Sequence, residues 1–168
     1  MLLLSPLALQ AATKSDIDNQ VNKTLKEFFK TNPKYDGLAN QAYGFLVFPS
    51  ISKAGLIVGG EYGEGALLRE SKVVDYYSTM SASIGLQIGS EVHTEIIMFM
   101  NKESFDKFQA GAGLSAGVEG GLAFLNKGEA KGFSTNSVDA AVLVFVYGNK
   151  GFMGNLSLEG SKFTKLTR

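Results

Sequence analysis

One seven-residue pattern, Gly-Leu-x-x-Gly-x-Glu, recurs along the chain and constrains the fold more than any other feature. It occurs as GLIVGGE at 55–61, GLQIGSE at 85–91 and GLSAGVE at 113–119, and GFMGNLS at 151–157 is a degraded fourth copy. As a β-strand, each full copy has apolar side chains on one face, and glycines followed by a glutamate on the other. The repeat therefore predicts a β-rich domain whose strands have one face stripped of side chains.

Glycine weakens the interior of a strand and removes packing, so its repeated use needs a structural reason. Two reasons fit the pattern: sharp curvature of the sheet, or a helix or ligand that lies close on the backbone. The candidate glycine-lined face consists of Gly55, Gly59, Gly85, Gly89, Gly113 and Gly117.

The stretch GGEYGEG at 59–65 does not fit a phosphate-binding loop. It has no lysine-serine pair, no helical segment follows it, and its two glutamates would repel phosphate. We therefore expect no nucleotide and no cofactor. The repeated glutamates Glu61, Glu91 and Glu119 could converge on a hard cation, but no aspartate-rich calcium loop accompanies them. Solvated strand ends are the simpler interpretation, and we predict no metal site.

The sequence shows no catalytic machinery. It contains no cysteine, one histidine (His93) and no Gly-x-Ser-x-Gly elbow. We expect a non-enzymatic protein in which His93 is a surface or sheet residue, and a hydrolase that uses His93 is the remote alternative. Sixteen basic residues balance sixteen acidic ones, so no overall field favours nucleic acid.

The first twelve residues, MLLLSPLALQAA, resemble the end of a secretory leader, although the basic segment that normally opens one is missing. We predict a leader remnant at 1–12, one domain at 13–168, and a periplasmic or secreted location in a bacterium. A frayed apolar N-terminus is the alternative. No other segment approaches the length of apolar chain that a transmembrane helix needs.

Apolar residues at helical spacing predict an amphipathic helix from Ser15 to about Lys30, with Ser15 or Asp16 as its cap and Asn32-Pro33 as its end. Three lysines cluster opposite the apolar stripe. The candidate lipid-binding residues are Lys14, Lys23, Lys26 and Lys30. Docking of this helix on an anionic membrane and packing of the helix on the sheet, with its lysines in water, both fit the pattern.

The rest of the chain is mainly strand. Tyr43–Pro49 predicts a strand stopped by its proline, and the apolar run Ala140–Tyr147 predicts a central strand. A second helix is expected from Lys102 to Gln109, capped by Asn101. The expected fold class is α+β, a mostly antiparallel twisted sheet with a packed N-terminal amphipathic helix and one short internal helix.

Four stretches together resemble the SYLF domain family. They are AYGFLVFPSISKAGLIVGGEYGEGALL, DYYSTMSASIGLQIGSE, FQAGAGLSAGVEGGLAF and VFVYGNKGFMGNLSLEGS, and they span residues 42 to 161 in order. The resemblance implies a compact β-rich domain that binds lipid, often through a basic amphipathic N-terminal helix, and that is also described as actin-binding in fungal members. This chain looks like the small standalone secreted bacterial members.

We therefore expect a non-enzymatic domain that binds lipid or a membrane surface in the cell envelope. The alternative is a protein-interaction or structural module with no lipid ligand, actin-binding-like in eukaryotic relatives, whose partner here would be an envelope protein.

Overall fold

The structure, a computed structural model, describes residues 13–52, 60–82, 92–112, 122–125, 141–148, 151–152 and 161–167. The helices are α1 (Lys14–Thr31), α2 (Asp36–Gln41), which follows a 3₁₀ turn at Pro33–Tyr35, and α3 (Lys102–Lys107), which continues into a wider helical turn at Phe108–Ala112. The strands are β1 (Gly44–Ser52), β2 (Gly60–Arg69), β3 (Lys72–Ala82), β4 (His93–Phe99), β5 (Leu122–Leu125), β6 (Val142–Gly148), β7 (Gly151–Phe152) and β8 (Ser161–Leu166).

The eight strands of the described residues join one sheet in the order β5-β6-β4-β1-β2-β3-β8, and β7 pairs with β6. Every pairing is antiparallel except that of β5 with β6. The two-residue turn at Glu70 and Ser71 accounts for the antiparallel pairing of β2 with β3, because a tight turn can join only strands that run in opposite directions. The expected α+β class with a mostly antiparallel sheet is confirmed, and so are the N-terminal helix and the short internal helix.

The helix α1 begins one residue earlier than the spacing predicted, and its cap differs. The cap is Thr13, whose hydroxyl accepts a hydrogen bond from the backbone N–H of Asp16 at 3.1 Å, while the Asp16 carboxylate accepts from the Thr13 N–H at 3.4 Å. This reciprocal pair is a capping box, so the proposed Ser15 or Asp16 cap is wrong. Asp16 lies in the box as the third helical residue. The helix ends at Thr31, as Asn32-Pro33 predicted.

We call the side of the sheet that α1 covers the first face. Ile17, Val21 and Phe28 of α1 are almost completely buried there against β1 and β2. Phe28 packs edge-on against Phe145 of β6, with their ring centroids 5.2 Å apart. Tyr76 of β3 donates a hydrogen bond of 2.6 Å to Asp18, which ties the helix to the sheet by a polar contact as well.

The opposite side, the second face, has a core rich in aromatic rings. Phe105 of α3 and Phe108 of the following turn are buried against Phe99, with centroid distances of 5.8 and 5.4 Å. Asn101 caps α3 by accepting from the N–H of Ser104 at 2.8 Å, as the sequence predicted. The short helix therefore forms part of the cover of the second face.

The strand β1 does not stop at Pro49 as predicted but continues to Ser52. Its pairing with β2 shifts between Val47 and Ile51, and its pairing with β4 shifts between Phe48 and Ile51. A proline cannot donate to the ladder but is tolerated at such an irregularity. The bulge therefore lets β1 carry a proline inside the sheet.

Two glycines of β2 lie against this irregular part of β1. A β-carbon at Gly63 would lie 2.7 Å from the Ser50 carbonyl oxygen, and one at Gly65 would collide with the Val47 carbonyl oxygen. Only glycine permits such a close approach of backbone to backbone. At Gly63 and Gly65, therefore, the neighbouring strand β1 lies close on the backbone, and glycine is needed for that reason.

Candidate functional site

The predicted glycine-lined face lies outside the described residues. Its six positions are Gly55, Gly59, Gly85, Gly89, Gly113 and Gly117. The repeated glutamates Glu91 and Glu119 also lie outside the described residues. Of the repeated motif, the structure describes Gly60 and Glu61 at the start of β2 and Gly151 and Phe152 in β7.

The predicted lysines all lie on α1 and are exposed. At about 100° per residue, Lys23, Lys26 and Lys30 fall within an arc of roughly 60° opposite the buried stripe. We call these three the lysine face. Lys14 is exposed in the first turn, but the same arithmetic places it on the other side of the helix. Within the ranges that the structure describes, none of the four lysines forms an ion pair.

The apolar stripe of α1 is not available for a second surface. Ile17, Val21 and Phe28 are at most 3% exposed, and Leu25 and Phe29 pack against the same core. An amphipathic helix enters a membrane interface with its apolar face. While α1 stays on the sheet, it can therefore offer a partner only its polar outer side.

One of the three acidic groups of α1 is turned away from that outer side. Asp18 accepts the Tyr76 hydroxyl on the inner side of the helix. Asp16 stays exposed in the capping box, on the side of the lysine face but two turns before Lys23. Glu27 stays exposed beside the lysine face. The helix as a whole has a net charge near +1, yet its outer side presents three cations near one free carboxylate, which is a locally positive surface.

A second group of polar side chains is buried on the second face. His93 and Glu95 alternate along β4 and so project to the same side, and each is 6% exposed. The His93 Nε2 lies 3.9 Å from Glu61 Oε1, which is longer than a hydrogen bond. We call Glu61, His93 and Glu95 the buried polar cluster.

Burial shifts the pKa of two members of this cluster. It raises the pKa of Glu95 from 4.5 to about 8, with a further increase from the nearby charge of Glu61. It lowers the pKa of His93, while the charge of Glu61 acts in the opposite direction. At neutral pH, Glu95 is therefore mainly protonated and His93 mainly neutral, so the cluster holds little net charge out of water.

As far as the structure describes it, the buried polar cluster matches neither a metal site nor a histidine paired with a hydroxyl. Among the described residues, no group of three His, Cys, Asp or Glu side chains could hold a metal ion, and no hydroxyl hydrogen-bonds to His93. His93 was predicted to be a surface or a sheet residue, and it is a buried residue of the sheet. The sequence interpretation missed Glu95, although a carboxylate two residues after His93 in the apolar strand HTEIIMF was a signal for a buried pair.

Within the described part of the chain, none of the helices has the length and hydropathy that a membrane span needs.

Two comparisons with known proteins found similar sequences. Residues 80–167, more than half of the chain, match the family model Ysc84, described as "Las17-binding protein actin regulator". The chain is also 26% identical over 162 residues to "Beta cell expansion factor A" of Aeromonas veronii. That alignment covers 96% of this chain and 60% of the relative, so the chain spans about three fifths of the relative's length. The resemblance to SYLF domains is thereby confirmed, and the chain belongs to the Ysc84 (SYLF) family.

Proposed function

We propose that this chain is a non-enzymatic domain that binds anionic lipid surfaces of the bacterial cell envelope through the lysine face of α1. The observation that carries the proposal is the combination of three exposed, unpaired lysines with an apolar stripe that is fixed in the core. The family, whose members are related to actin regulation and lipid binding, supports this class of function.

The buried stripe determines the kind of membrane binding that we expect. Insertion of α1 into the interface would require its buried side chains to leave the first face, which costs about 1.5–3 kcal/mol for each large apolar residue exposed to water on the way. Electrostatic attachment requires no such opening. Each lysine near an anionic surface contributes about 1 kcal/mol, so the lysine face contributes about 3 kcal/mol. Such binding is peripheral, and screening by salt weakens it.

Co-sedimentation with liposomes tests the proposal. We expect the intact chain to bind vesicles that contain phosphatidylglycerol at low salt, to bind phosphatidylcholine vesicles much less, and to dissociate as the salt concentration rises. Neutralisation of the whole lysine face, by Lys23→Gln, Lys26→Gln and Lys30→Gln together, is expected to weaken binding roughly a hundredfold.

A matched variant separates the lysine face from net charge. Lys102, Lys107 and Lys162 are exposed and lie outside α1, so their replacement by glutamine changes the net charge by the same amount. This control should keep most of the binding. Equal losses in both variants would assign binding to overall charge, and no binding to either vesicle at low salt would reject the lipid function.

The alternative is a protein-interaction module, favoured by the family description as a Las17-binding actin regulator. A lysine face on a fixed helix also suits an acidic protein surface. Sedimentation with filamentous actin, with the same two variants, distinguishes this function. Loss of actin binding in the α1 variant without any lipid binding would favour the protein partner. We further propose an extracytoplasmic location, which fractionation of cells that express the chain with residues 1–12 intact would test.

A further inference from the structure

The buried polar cluster lies beside the bulge of β1. Phe48 of β1 is paired with Glu95 of β4, and Ile51 is paired with His93, so three steps along β1 match only two along β4. The pairing of β1 with β2 shifts in the same stretch. One extra residue therefore interrupts the ladders of β1 on both sides, at the place where the cluster is buried.

A side chain replaces part of the interrupted ladder. Thr94, which lies between His93 and Glu95, donates a hydrogen bond of 2.9 Å from its hydroxyl to the Pro49 carbonyl oxygen. Proline has no backbone N–H with which to bond in return. Segments that are held by few contacts open at a lower free energy than the rest of a protein. The bulge is therefore where β1 and β4 can separate without unfolding of the whole sheet.

The Glu95 carboxyl group is buried beside this bulge without a compensating contact. The residue is 6% exposed, and its Oε1 has no hydrogen-bond partner among the described residues. Its partners on the adjacent strands, Phe48 and Val146, are apolar. A buried carboxylate without a donor or a cation is strongly unfavourable, so the closed sheet favours the protonated, neutral form of Glu95.

The titratable neighbours of Glu95 do not remove this cost. Within the described ranges, they are Glu61 of β2 and His93 of the same strand. The charge of Glu61 adds to the effect of burial on the pKa of Glu95. His93 lies 3.9 Å from Glu61, and burial lowers its pKa, so it supplies little positive charge at neutral pH.

The other ionisable groups of the second face are distant, paired or neutral. Tyr77 of β3 has its pKa raised to about 12 and stays neutral. Lys165 of β8 lies four strands away from Glu95 and is paired with Asp75. The charged side chains of α3 are paired with one another, Lys102 with Asp106 and Lys107 with Glu103.

We propose that the buried polar cluster is a pH-dependent switch at the bulge. Glu95 must hold a proton for β1 and β4 to close on each other, so that acidification tightens this part of the second face and rising pH loosens it. The switch goes beyond the proposed attachment to lipid and does not depend on it, because it lies on the side of the sheet that α1 does not cover.

The pH range of the switch follows from the pKa of Glu95 in its two states. In the closed sheet the pKa is about 8, and once the strands separate the carboxyl group meets water and returns to its ordinary value of 4.5. The closed form thus binds the proton more tightly. The opening equilibrium is therefore lowest below pH 4.5, rises about tenfold for each pH unit, and levels off above about pH 8.

Hydrogen exchange of the intact chain, followed by nuclear magnetic resonance from pH 5 to pH 9, tests the proposal. Exchange rates are divided by those of an unstructured chain at the same pH, under conditions in which the opening equilibrium limits exchange. Amides at 47–51 and 93–96 should lose about a thousandfold of their protection between pH 5 and pH 8. Low concentrations of urea should hardly change this protection, because a local opening exposes little surface.

Two variants test the role of the cluster. Glu95→Gln, which has nearly the same shape and cannot ionise, should make the protection of these amides independent of pH. Glu61→Gln removes a charge that raises the pKa of Glu95, so the loss of protection should be smaller and should level off at a lower pH. Glu103→Gln, at an exposed position of α3, is the matched control and should follow the wild type.

Four results would overturn the proposal. They are protection around the bulge that does not change with pH in the wild type, the same pH dependence in Glu95→Gln, an unchanged levelling pH in Glu61→Gln, and protection that falls with urea as steeply as that of amides that exchange only by global unfolding.

Discussion

The two faces of the sheet differ in the side chains that they bury. On the first face, α1 buries aliphatic and aromatic side chains and leaves its cations in water. On the second face, a shorter helix covers an aromatic core that also holds the buried polar cluster and a cavity. The first face thus contributes mainly stability and a fixed outer surface, whereas the second face places ionisable and hydrogen-bonding groups where their environment alters them.

The largest effect that would sharpen this contrast is a pH dependence located on the second face. Glu95 has its pKa raised from 4.5 to about 8, so it binds its proton more tightly in the folded than in the unfolded chain. This tighter proton binding adds to the unfolding free energy. The added stability is complete below pH 4.5 and is lost as the pH rises to about 8. Relative to the wild type, Glu95→Gln should gain up to about 5 kcal/mol of unfolding free energy across that interval.

Urea unfolding of both proteins from about pH 4.5 to about pH 9 measures this difference. His93 and Glu61 remain in both chains, so their own titrations largely cancel in the comparison. Glu103→Gln, at an exposed position of α3, serves as the control and should follow the wild type. Parallel curves for Glu95→Gln and the wild type would show that Glu95 is not held in a desolvated site.

The next effect compares the packing of the two faces. Phe28→Ala removes a ring that is 2% exposed and contacts Tyr35 and Phe145, so it should lower the unfolding free energy by about 3–5 kcal/mol. Phe108→Ala on the second face should cost about 1–2 kcal/mol less, because the space it leaves joins an existing cavity that water can enter. Chemical denaturation followed by circular dichroism measures both. An equal or larger loss for Phe108→Ala would contradict the contrast in packing.

The smallest effect concerns the start of α1. Thr13→Ala removes the hydroxyl of the capping box and should cost about 1 kcal/mol. Ser15→Ala should be neutral or slightly stabilising, because Ser15 makes no capping contact and alanine favours the helix. Thermal melts of the two variants decide between the caps. A larger cost at Ser15 would support the cap that spacing alone suggested.

Local patterns in the sequence predicted the elements whose causes are local. The stripe of α1, the Asn101 cap and the apolar run that becomes β6 each depend on residues within one element, and the structure has all three. The cap of α1 was misplaced by two or three residues, because Thr13, Ser15 and Asp16 are all acceptable capping residues. Helix α2 has six residues, too few to show a helical period.

Features that depend on distant residues could not be predicted in this way. The passage of β1 beyond Pro49 depends on glycines in β2 that admit the bulge. The burial of Glu95 depends on what covers the second face, and the cavity combines residues near positions 77, 108 and 163. The lysines of α1 could be named from the sequence. That its apolar stripe is buried in the core, and so is not free to enter a membrane, could be seen only in the packed structure.

The pairing of β8 with β3 also has a consequence for how the chain is made. Residues 161–166 close the edge of a strand formed by residues 72–82, so this edge cannot be satisfied until nearly all of the sheet has left the ribosome. An open strand edge readily pairs with other chains. During synthesis, therefore, the outer edge of β3 stays open to pairing with other chains until β8 emerges.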